Sequence, residues 1–403
     1  MNEWKKVKLG ELYDVHNGLS KGRQFFGSGY PFLTFSNVFN NWFLPEELES
    51  LVQSSEKERQ TCSIKKGDVF ITRTSETMDE LGMSSVALKD YPNATYNGFT
   101  KRLRPLTDEV IPEYIGYYLR SPKFRGKFMA FSTMTTRASL ANDDLLSMEV
   151  EIPDKSIQQR IATILSRYDS LIENYQKQIK LLEESAQRLY KEWFIDLRFP
   201  EHENTKIVDG VPEGWEKKEI KDLVDLKSGY AFKSSAFVEK GKYKIVTIKN
   251  VKDGVFDGDN VSYLNSVPEK MPSHCILQTG DILLSLTGNV GRICMVVGDN
   301  YLLNQRVAKL ESKFPAFTYC LFRHYDTFVA INNLANGAAQ QNVSPIRIGE
   351  MDMLVANDKI MHHFEKAAEN IRTNILNLFS QIRHLTEARD RLLPKLMSGE
   401  IEV

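Results

Sequence analysis

Four polar stretches are the places where this sequence offers groups for chemistry. Thr72-Arg73-Thr74-Ser75 follows the apolar run Val69-Phe70-Ile71 and sets a guanidinium among short hydroxyls. Its internal counterpart is Ser285-Leu286-Thr287-Gly288-Asn289, continuing through Val290 and Gly291 to Arg292. Lys101-Arg102-Leu103-Arg104 is matched with Asn304-Gln305-Arg306, and Thr135-Thr136-Arg137-Ala138-Ser139 with Gln340-Gln341-Asn342-Val343-Ser344. Arg120, Lys123, Arg125 and Lys127 make a basic helix with few acids nearby in sequence. Guanidinium forks and side-chain amides hydrogen-bond planar polar edges and anions, which is recognition chemistry. Motifs for bond-breaking are missing: there is no Walker A pattern, no HExxH, no GxSxG, and no Asn or Asp followed by Pro-Pro and an aromatic residue. Gly288-Asn289-Val290-Gly291-Arg292 lacks the third glycine and the βαβ setting of a phosphate-cradling loop, so a β-turn is expected there. The adjacent His362-His363 point in different directions on a helix, which disfavours a shared metal.

The elements that must position these groups repeat. Trp4-Lys5-Lys6-Val7-Lys8-Leu9-Gly10-Glu11-Leu12 answers to Trp215-Glu216-Lys217-Lys218-Glu219-Ile220-Lys221-Asp222-Leu223. Asn17-Gly18, Thr34 and Ser36-Asn37-Val38 answer to Ser228-Gly229, Thr247 and Lys249-Asn250-Val251, and Gly67-Asp68 to Gly280-Asp281. Order is kept while offsets drift by loop lengths, as domain duplication predicts. Each copy reads as a strand-rich opening with glycine turns, then one or two helices beginning at Pro112, Pro122 and Pro315.

Each copy then runs into a long helix. Ile157, Ile161, Ile164, Tyr168, Leu171 and Tyr175 recur at steps of three and four, continuing through Ile179, Leu182, Ala186, Leu189 and Trp193. That narrow seam predicts a coiled coil from Ile157 to about Asp196, with Ser156 and Gln159 at capping-box spacing. A similar seam runs through Ile360, Phe364, Ala368, Ile371, Ile375, Leu378, Ile382, Leu385 and Leu392, with a break or kink expected at Pro394. The expected organisation is α/β (α+β), with residues 1–153 and 215–356 as two similar domains, helices at 154–199 and 357–403, and a polar linker at 200–214. The two long helices are expected to pair antiparallel about an internal pseudo-two-fold axis.

Composition sets limits. The formal net charge of the 403 residues is −1, so any nucleic-acid contact has to rest on local patches or on cationic partners. Cys62, Cys275, Cys294 and Cys320 are scattered without CxxC spacing and are expected to be buried thiols. No apolar run reaches spanning length and the start lacks an apolar leader, so a cytoplasmic location is expected.

Ser156-Ile157-Gln158-Gln159-Arg160-Ile161-Ala162, Tyr190-Lys191-Glu192-Trp193-Phe194, Val211-Pro212-Glu213-Gly214-Trp215 and the closing Arg389-Asp390-Arg391-Leu392-Leu393-Pro394-Lys395-Leu396-Met397-Ser398-Gly399-Glu400-Ile401 resemble the specificity subunit of type I restriction–modification enzymes. The resemblance implies a non-catalytic chain with two target-recognition domains, each reading one half of a bipartite, asymmetric double-stranded DNA target. It also implies two modification subunits that methylate adenine with S-adenosylmethionine, and two motor-nuclease subunits that use ATP and magnesium; no cofactor is expected in this chain. Since arginine pairs bidentately with guanine and Asn or Gln with adenine, the expected DNA contacts are Thr72, Arg73, Lys101, Arg102, Arg104, Thr135, Thr136, Arg137, Lys249, Asn250, Thr287, Asn289, Arg292, Gln305, Arg306, Gln340, Gln341 and Asn342. The basic helix is expected to neutralise phosphate. Tyr190, Trp193, Phe194 and Phe379 are expected to dock the modification subunits, or else to cap the helices against the domains. The rival readings are a solitary methyltransferase, a coiled-coil scaffold that never touches DNA, and a specificity subunit of a methylation-only system.

Overall fold

Val69-Phe70-Ile71 and Ile282-Leu283-Leu284 are apolar at every position, so neither can be a strand with one wet face. The computed structural model describes residues 4–75, 80–131, 138–139, 141–259, 261–335 and 341–403, and it divides into two compact units. Met1–Ile172 with Leu385–Val403 form the first, and Glu173–His384 the second.

In the first unit the strands are β1 (Lys5–Lys8), β2 (Tyr13–Asn17), β3 (Phe26–Leu33), β4 (Leu51–Val52), β5 (Val69–Thr72), β6 (Thr74–Ser75), β7 (Ser84–Val86), β8 (Thr95–Tyr96), β9 (Thr100–Pro105), β10 (Ala138–Ser139) and β11 (Glu149–Ile152). They form sheets of order β2-β9-β5-β7 and β4-β3-β8, with β1 paired to β11 and β6 to β10. In the second unit a hairpin of β12 (Ile207–Val208) and β13 (Val211–Pro212) occupies the expected polar linker. There follow β14 (Glu216–Glu219), β15 (Val224–Ser228), β16 (Tyr243–Val246), β17 (Ser262–Leu264), β18 (Ile276–Leu277), β19 (Ile282–Ser285), β20 (Ile293–Met295), β21 (Tyr301–Leu303), β22 (Val307–Ser312) and β23 (Asp352–Val355). The sheets β15-β22-β19-β20 and β17-β16-β21-β18 and the pair β14-β23 repeat the first unit's plan. Each copy also contains a parallel pair that the sequence pattern did not suggest, β3 with β8 and β16 with β21.

The central strands explain the apolar runs. Val69 and Ile71 enter a core with Tyr114, Ile115, Tyr118, Ile161 and Leu165, while Phe70 enters another with Val38 and Tyr96. Ile282 and Leu284 likewise face Phe317, Ile360 and Phe364, and Leu283 faces Val246 and Leu302. Side chains alternate across a strand, so an all-apolar strand joins two cores. The turn ahead of it is held alike in both units. Gly67 and Gly280 have φ of +87° and +96°, which a side chain would resist. Asp68 and Asp281 accept the backbone N–H of Lys65 and Gln278 at 2.7 and 2.8 Å.

The helices run Lys155–Tyr190, followed by a π-turn at Lys191–Ile195, and Asp358–Ser398. In the first unit, Ile161 and Leu165 share a core with Leu393, Leu396 and Met397, and Arg389 pairs with Asp169 at 2.6 Å. In the second, Phe194 lies 4.9 Å from Phe364 and Trp193 5.6 Å. The start of each helix therefore meets the end of the other, which is antiparallel pairing. Three expectations are corrected. The first helix starts ahead of the supposed capping box, with the Asp154 carbonyl accepting from Ile157 and Gln158. There is no break at Pro394: helix continues to Ser398, because burial of Leu393, Leu396 and Met397 offsets the one missing hydrogen bond. Leu171 is 45% exposed, so that position drops out of the seam, whereas Ile179 and Ile375 are buried. No helix among the described residues is long and apolar enough to cross a membrane. All four cysteines are buried and free.

The basic helix is also corrected, because its cations are used internally. Arg120 donates to the carbonyls of Ser84, Val38, Phe39 and Asn41 at 2.6–2.9 Å. Burial, assisted by the nearby Arg125 and Arg389, holds its pKa down to about 10. Arg125 donates to the Leu81 carbonyl, while Lys123 and Lys127 both pair with Glu151, at 2.5 and 3.1 Å.

Two predictions follow from this wiring. Gln158, 1% exposed, accepts from the Ile111 N–H at 2.9 Å and donates to the Glu109 and Pro153 carbonyls. Gln158→Ala should lower stability by about 1–3 kcal/mol, read by urea denaturation, because it leaves buried backbone groups unpaired. The hydrogen bond from Lys123, then that from Lys127, lowers the pKa of Glu151. A folded pKa below the unfolded one contributes stability above the unfolded value of about 4.3 and loses it as pH falls through the folded value. The Tm deficit of Glu151→Gln should therefore be present at neutral pH and close in acid. It should correspond to no more than about 1 kcal/mol, since the two lysines are 31% and 37% exposed.

Candidate nucleic-acid interface

Each central strand ends in a buried hydroxyl that folds the following loop back on itself. Thr72 Oγ1 donates to the Glu80 carbonyl at 2.6 Å and accepts the Met83 N–H at 2.9 Å. Ser285 Oγ donates to the Asn289 carbonyl at 2.5 Å and accepts the Arg292 N–H at 3.0 Å. The Gly288–Gly291 segment is thus a turn, as expected, with φ of +73° and +86° at the two glycines.

The next residue makes a junction with the turn that enters the neighbouring strand. The Arg73 N–H donates to the Phe99 carbonyl at 2.9 Å, and the Leu286 N–H to the Arg306 carbonyl at 3.0 Å. Around this bond the two copies agree contact for contact. The carbonyls of Asn97 and Asn304 accept from Thr100 and Val307, both at 3.0 Å. The side chains of the same asparagines accept from the Phe99 and Arg306 N–H groups at 2.6 and 3.3 Å. Leu19 and Tyr230 donate to Tyr96 and Leu303 at 2.8 and 2.9 Å. A Cβ on Gly18 or Gly229 would lie 2.2 or 2.3 Å from the Asn97 or Asn304 carbonyl oxygen, so only glycine permits the approach.

The other strand of the junction comes from the second polar region. β6 pairs with β10, with Thr74 opposite Ser139, and Thr287 forms the corresponding bridge with Asn342. Thr287 Oγ1 donates to Asn342 Oδ1 at 3.0 Å, and the Gly288 N–H donates to the Gln341 carbonyl at 3.0 Å. The two polar loops matched from sequence are therefore neighbours in both copies. Thr135, Thr136, Arg137 and Gln340 lie outside the described residues.

Several expected contact residues are corrected by burial. Thr72 is fully buried and holds its loop. Lys101 is 4% exposed and bonds Asn142, and burial, then the Arg73 charge, lowers its pKa. Arg102 is 5% exposed, with its guanidinium on the Thr61 and Ser63 carbonyls, and Arg104 pairs with the fully buried Asp68 at 2.6 Å. These belong to β9, which pairs through both edges with β2 and β5, so the sequence match to Asn304-Gln305-Arg306 was displaced. The counterpart of that turn is Asn97-Gly98-Phe99, signalled by the shared asparagine ahead of a strand. Asn250 is also buried: its Oδ1 accepts from the Thr247 N–H and hydroxyl, as Asn37 Oδ1 does from Thr34. Thr287 is 7% exposed and its hydroxyl is engaged by Asn342. Tyr190 and Phe194 are buried among Phe317, Phe364 and Trp215, so capping the helices against the domain prevails over docking. Trp193 and Phe379 are half-buried against the same core.

What remains accessible clusters at the junctions. Arg73 is half-buried with its guanidinium on Asn17 Oδ1 at 3.3 Å, and Phe99 beside it is 57% exposed. In the second unit Lys249, Asn289, Gln305, Arg306, Gln341 and Asn342 are exposed, and Arg292 is half-buried. Arg306 stands between two concavities, one lined by Lys249, Lys252 and Asn304, the other by Ser228, Thr287, Gln305 and Asn342. A guanidinium, amides and an ammonium on a rigid backbone can pair with base edges and phosphates.

Residues 1–184 and 212–350 each match the type I restriction modification DNA specificity domain. The chain is 26% identical, over 99% of its length, to the MjaIX specificity subunit of Methanocaldococcus jannaschii, of which it covers 93%. It is 25% identical to the HindI specificity subunit of Haemophilus influenzae, with 100% of each chain covered. Among solved structures, the type I restriction–modification S subunit of M. genitalium matches with a TM-score of 0.58 at 17% identity, covering 98% of this chain and 96% of that one, a likeness of fold. The chain belongs to the type I restriction modification DNA specificity domain family and carries the domain twice.

Proposed function

We propose that this chain is the DNA specificity subunit of a type I restriction–modification complex. Each unit reads one half of a bipartite target, and the two halves differ. The observation that carries this reading is the junction itself: its hydrogen bonds repeat in both units while its exposed side chains do not. A scaffold duplicated in backbone but diverged in accessible polar groups suits two readers of different base sequences. The long helices, each contributing its start to one unit and its end to the other, set the gap between the half-sites and dock modification subunits. The chain supplies recognition, and catalysis resides in partner subunits: two that methylate adenine from S-adenosylmethionine, and two that translocate and cleave DNA with ATP and magnesium. Because adenine methylation needs the base out of the stack, the pocket for it belongs to the modification subunit.

The decisive experiment purifies the chain with its modification subunits and maps methylated positions on random DNA. A two-part target with a constant gap supports the reading, and DNA affinity that is neither sequence-selective nor salt-dependent overturns it. Inserting one heptad into each long helix should lengthen the gap and leave both half-sites unchanged. Lys249→Ala removes an exposed cation that makes no ion pair among the described residues. It should weaken binding about equally across target sequences and reduce the salt slope by roughly one.

A further inference from the structure

The two junctions are superimposable in hydrogen bonding, yet they exchange residue types. Position 73 is arginine and its partner at 99 is phenylalanine; position 286 is leucine and its partner at 306 is arginine. Each unit thus has one arginine and one apolar residue across the same backbone bond, on opposite strands. Leu286 is buried at 3%, whereas Phe99 is 57% exposed, so the apolar residue is inward in one unit and outward in the other. A large exposed phenylalanine on a turn clamped by Asn97 has no evident structural task, since its ring enters none of the apolar cores. Arg306 is held by the equivalent Asn304 clamp, is exposed, and makes no ion pair among the described residues. In the first unit Arg102 and Arg104, on the strand after the equivalent turn, are both engaged by carbonyls or by Asp68.

We infer that the residue at the tip of this turn, Phe99 in the first unit and Arg306 in the second, is the principal specificity-determining position of each half-site. Arg306 donates bidentately to the O6 and N7 acceptors of one guanine. Phe99 packs on the C5-methyl of one thymine, with Arg73 beside it on the adjoining strand. The chemistry follows from the groove edges: guanine alone presents two adjacent acceptors to a guanidinium fork, and thymine alone presents an apolar methyl. The exchange makes the two half-sites differ without altering the scaffold that aims the side chains. This rests on the DNA-recognition reading above.

The test uses the chain assembled with its modification subunits, on targets first determined for the wild type. Replacing one thymine of the first half-site with uracil removes only the methyl and should weaken wild-type binding roughly fourfold. The same replacement should have no effect on Phe99→Ala, which has already lost the contact. Replacing one guanine of the second half-site with 7-deazaguanine should weaken wild-type binding but not Arg306→Ala. Arg306→Ala itself should lose discrimination at that base alone, by roughly 5- to 150-fold, with the other half-site read normally. Both side chains are exposed, so the variants should keep the wild-type Tm. If the uracil effect persists in Phe99→Ala, or if Arg306→Ala weakens all sequences equally and lowers the salt slope by about one, the assignment is overturned. A wild-type complex that selects no sequence at all overturns instead the reading on which it rests.

Discussion

A strand that is apolar on both faces must be covered on both, and this constraint organises each unit. Covering one face of Val69-Phe70-Ile71 requires the helices around Tyr114 and Ile161, and covering the other requires the second sheet around Val38 and Tyr96. Ile282-Leu283-Leu284 imposes the same solution. With the strand locked between two cores, its final hydroxyl residue and the loop beyond it have little freedom. A buried Thr72 or Ser285 hydroxyl then fixes the loop's return, and the junction with the next strand emerges at a defined place. Polar side chains on that junction are positioned by rigid elements, which recognition requires.

The same economy explains why basic stretches of sequence are not basic surfaces. Arg102, Arg104, Arg120, Lys123 and Lys127 each end on a carbonyl or a carboxylate of their own unit. A guanidinium with up to five donors is well suited to gathering loop carbonyls, as Arg120 does for Val38, Phe39 and Asn41. A net charge of −1 does not by itself oppose DNA contact, because phosphate is met locally, and Lys249 and Arg306 are cations left exposed at the second junction.

The long helices are tied into each unit by specific polar contacts as well as by the seam. Asp169 accepts from Tyr117 at 2.5 Å and pairs with Arg389, whose guanidinium lies 5.0 Å from the Trp42 ring, with that of Arg120 5.4 Å from the same ring. In the second unit Glu365 accepts the Ala316 and Phe317 N–H groups at the start of a buried helix. A helix attached in this way transmits its length to the domain it carries, which is the property a gap-setting spacer needs.

Periodicity and internal repetition, read from the residues alone, determined the duplication, the strand-rich openings, the two long helices and their antiparallel sense. These are local or self-similar features, recorded directly in spacing. The polar loops around Thr74 and Ser139 were each matched to their counterpart in the other copy, but that the two pair with one another came only from the fold. Tertiary structure alone decided which polar groups are free. Nothing in Lys101-Arg102-Leu103-Arg104 reveals that Asn142, the Ser63 carbonyl and Asp68 will be in reach of its cations, while Phe99 just ahead of the strand is left outside. Burial of a charged side chain depends on whether carbonyls or carboxylates from distant residues reach it, and those partners are brought together only when the chain folds.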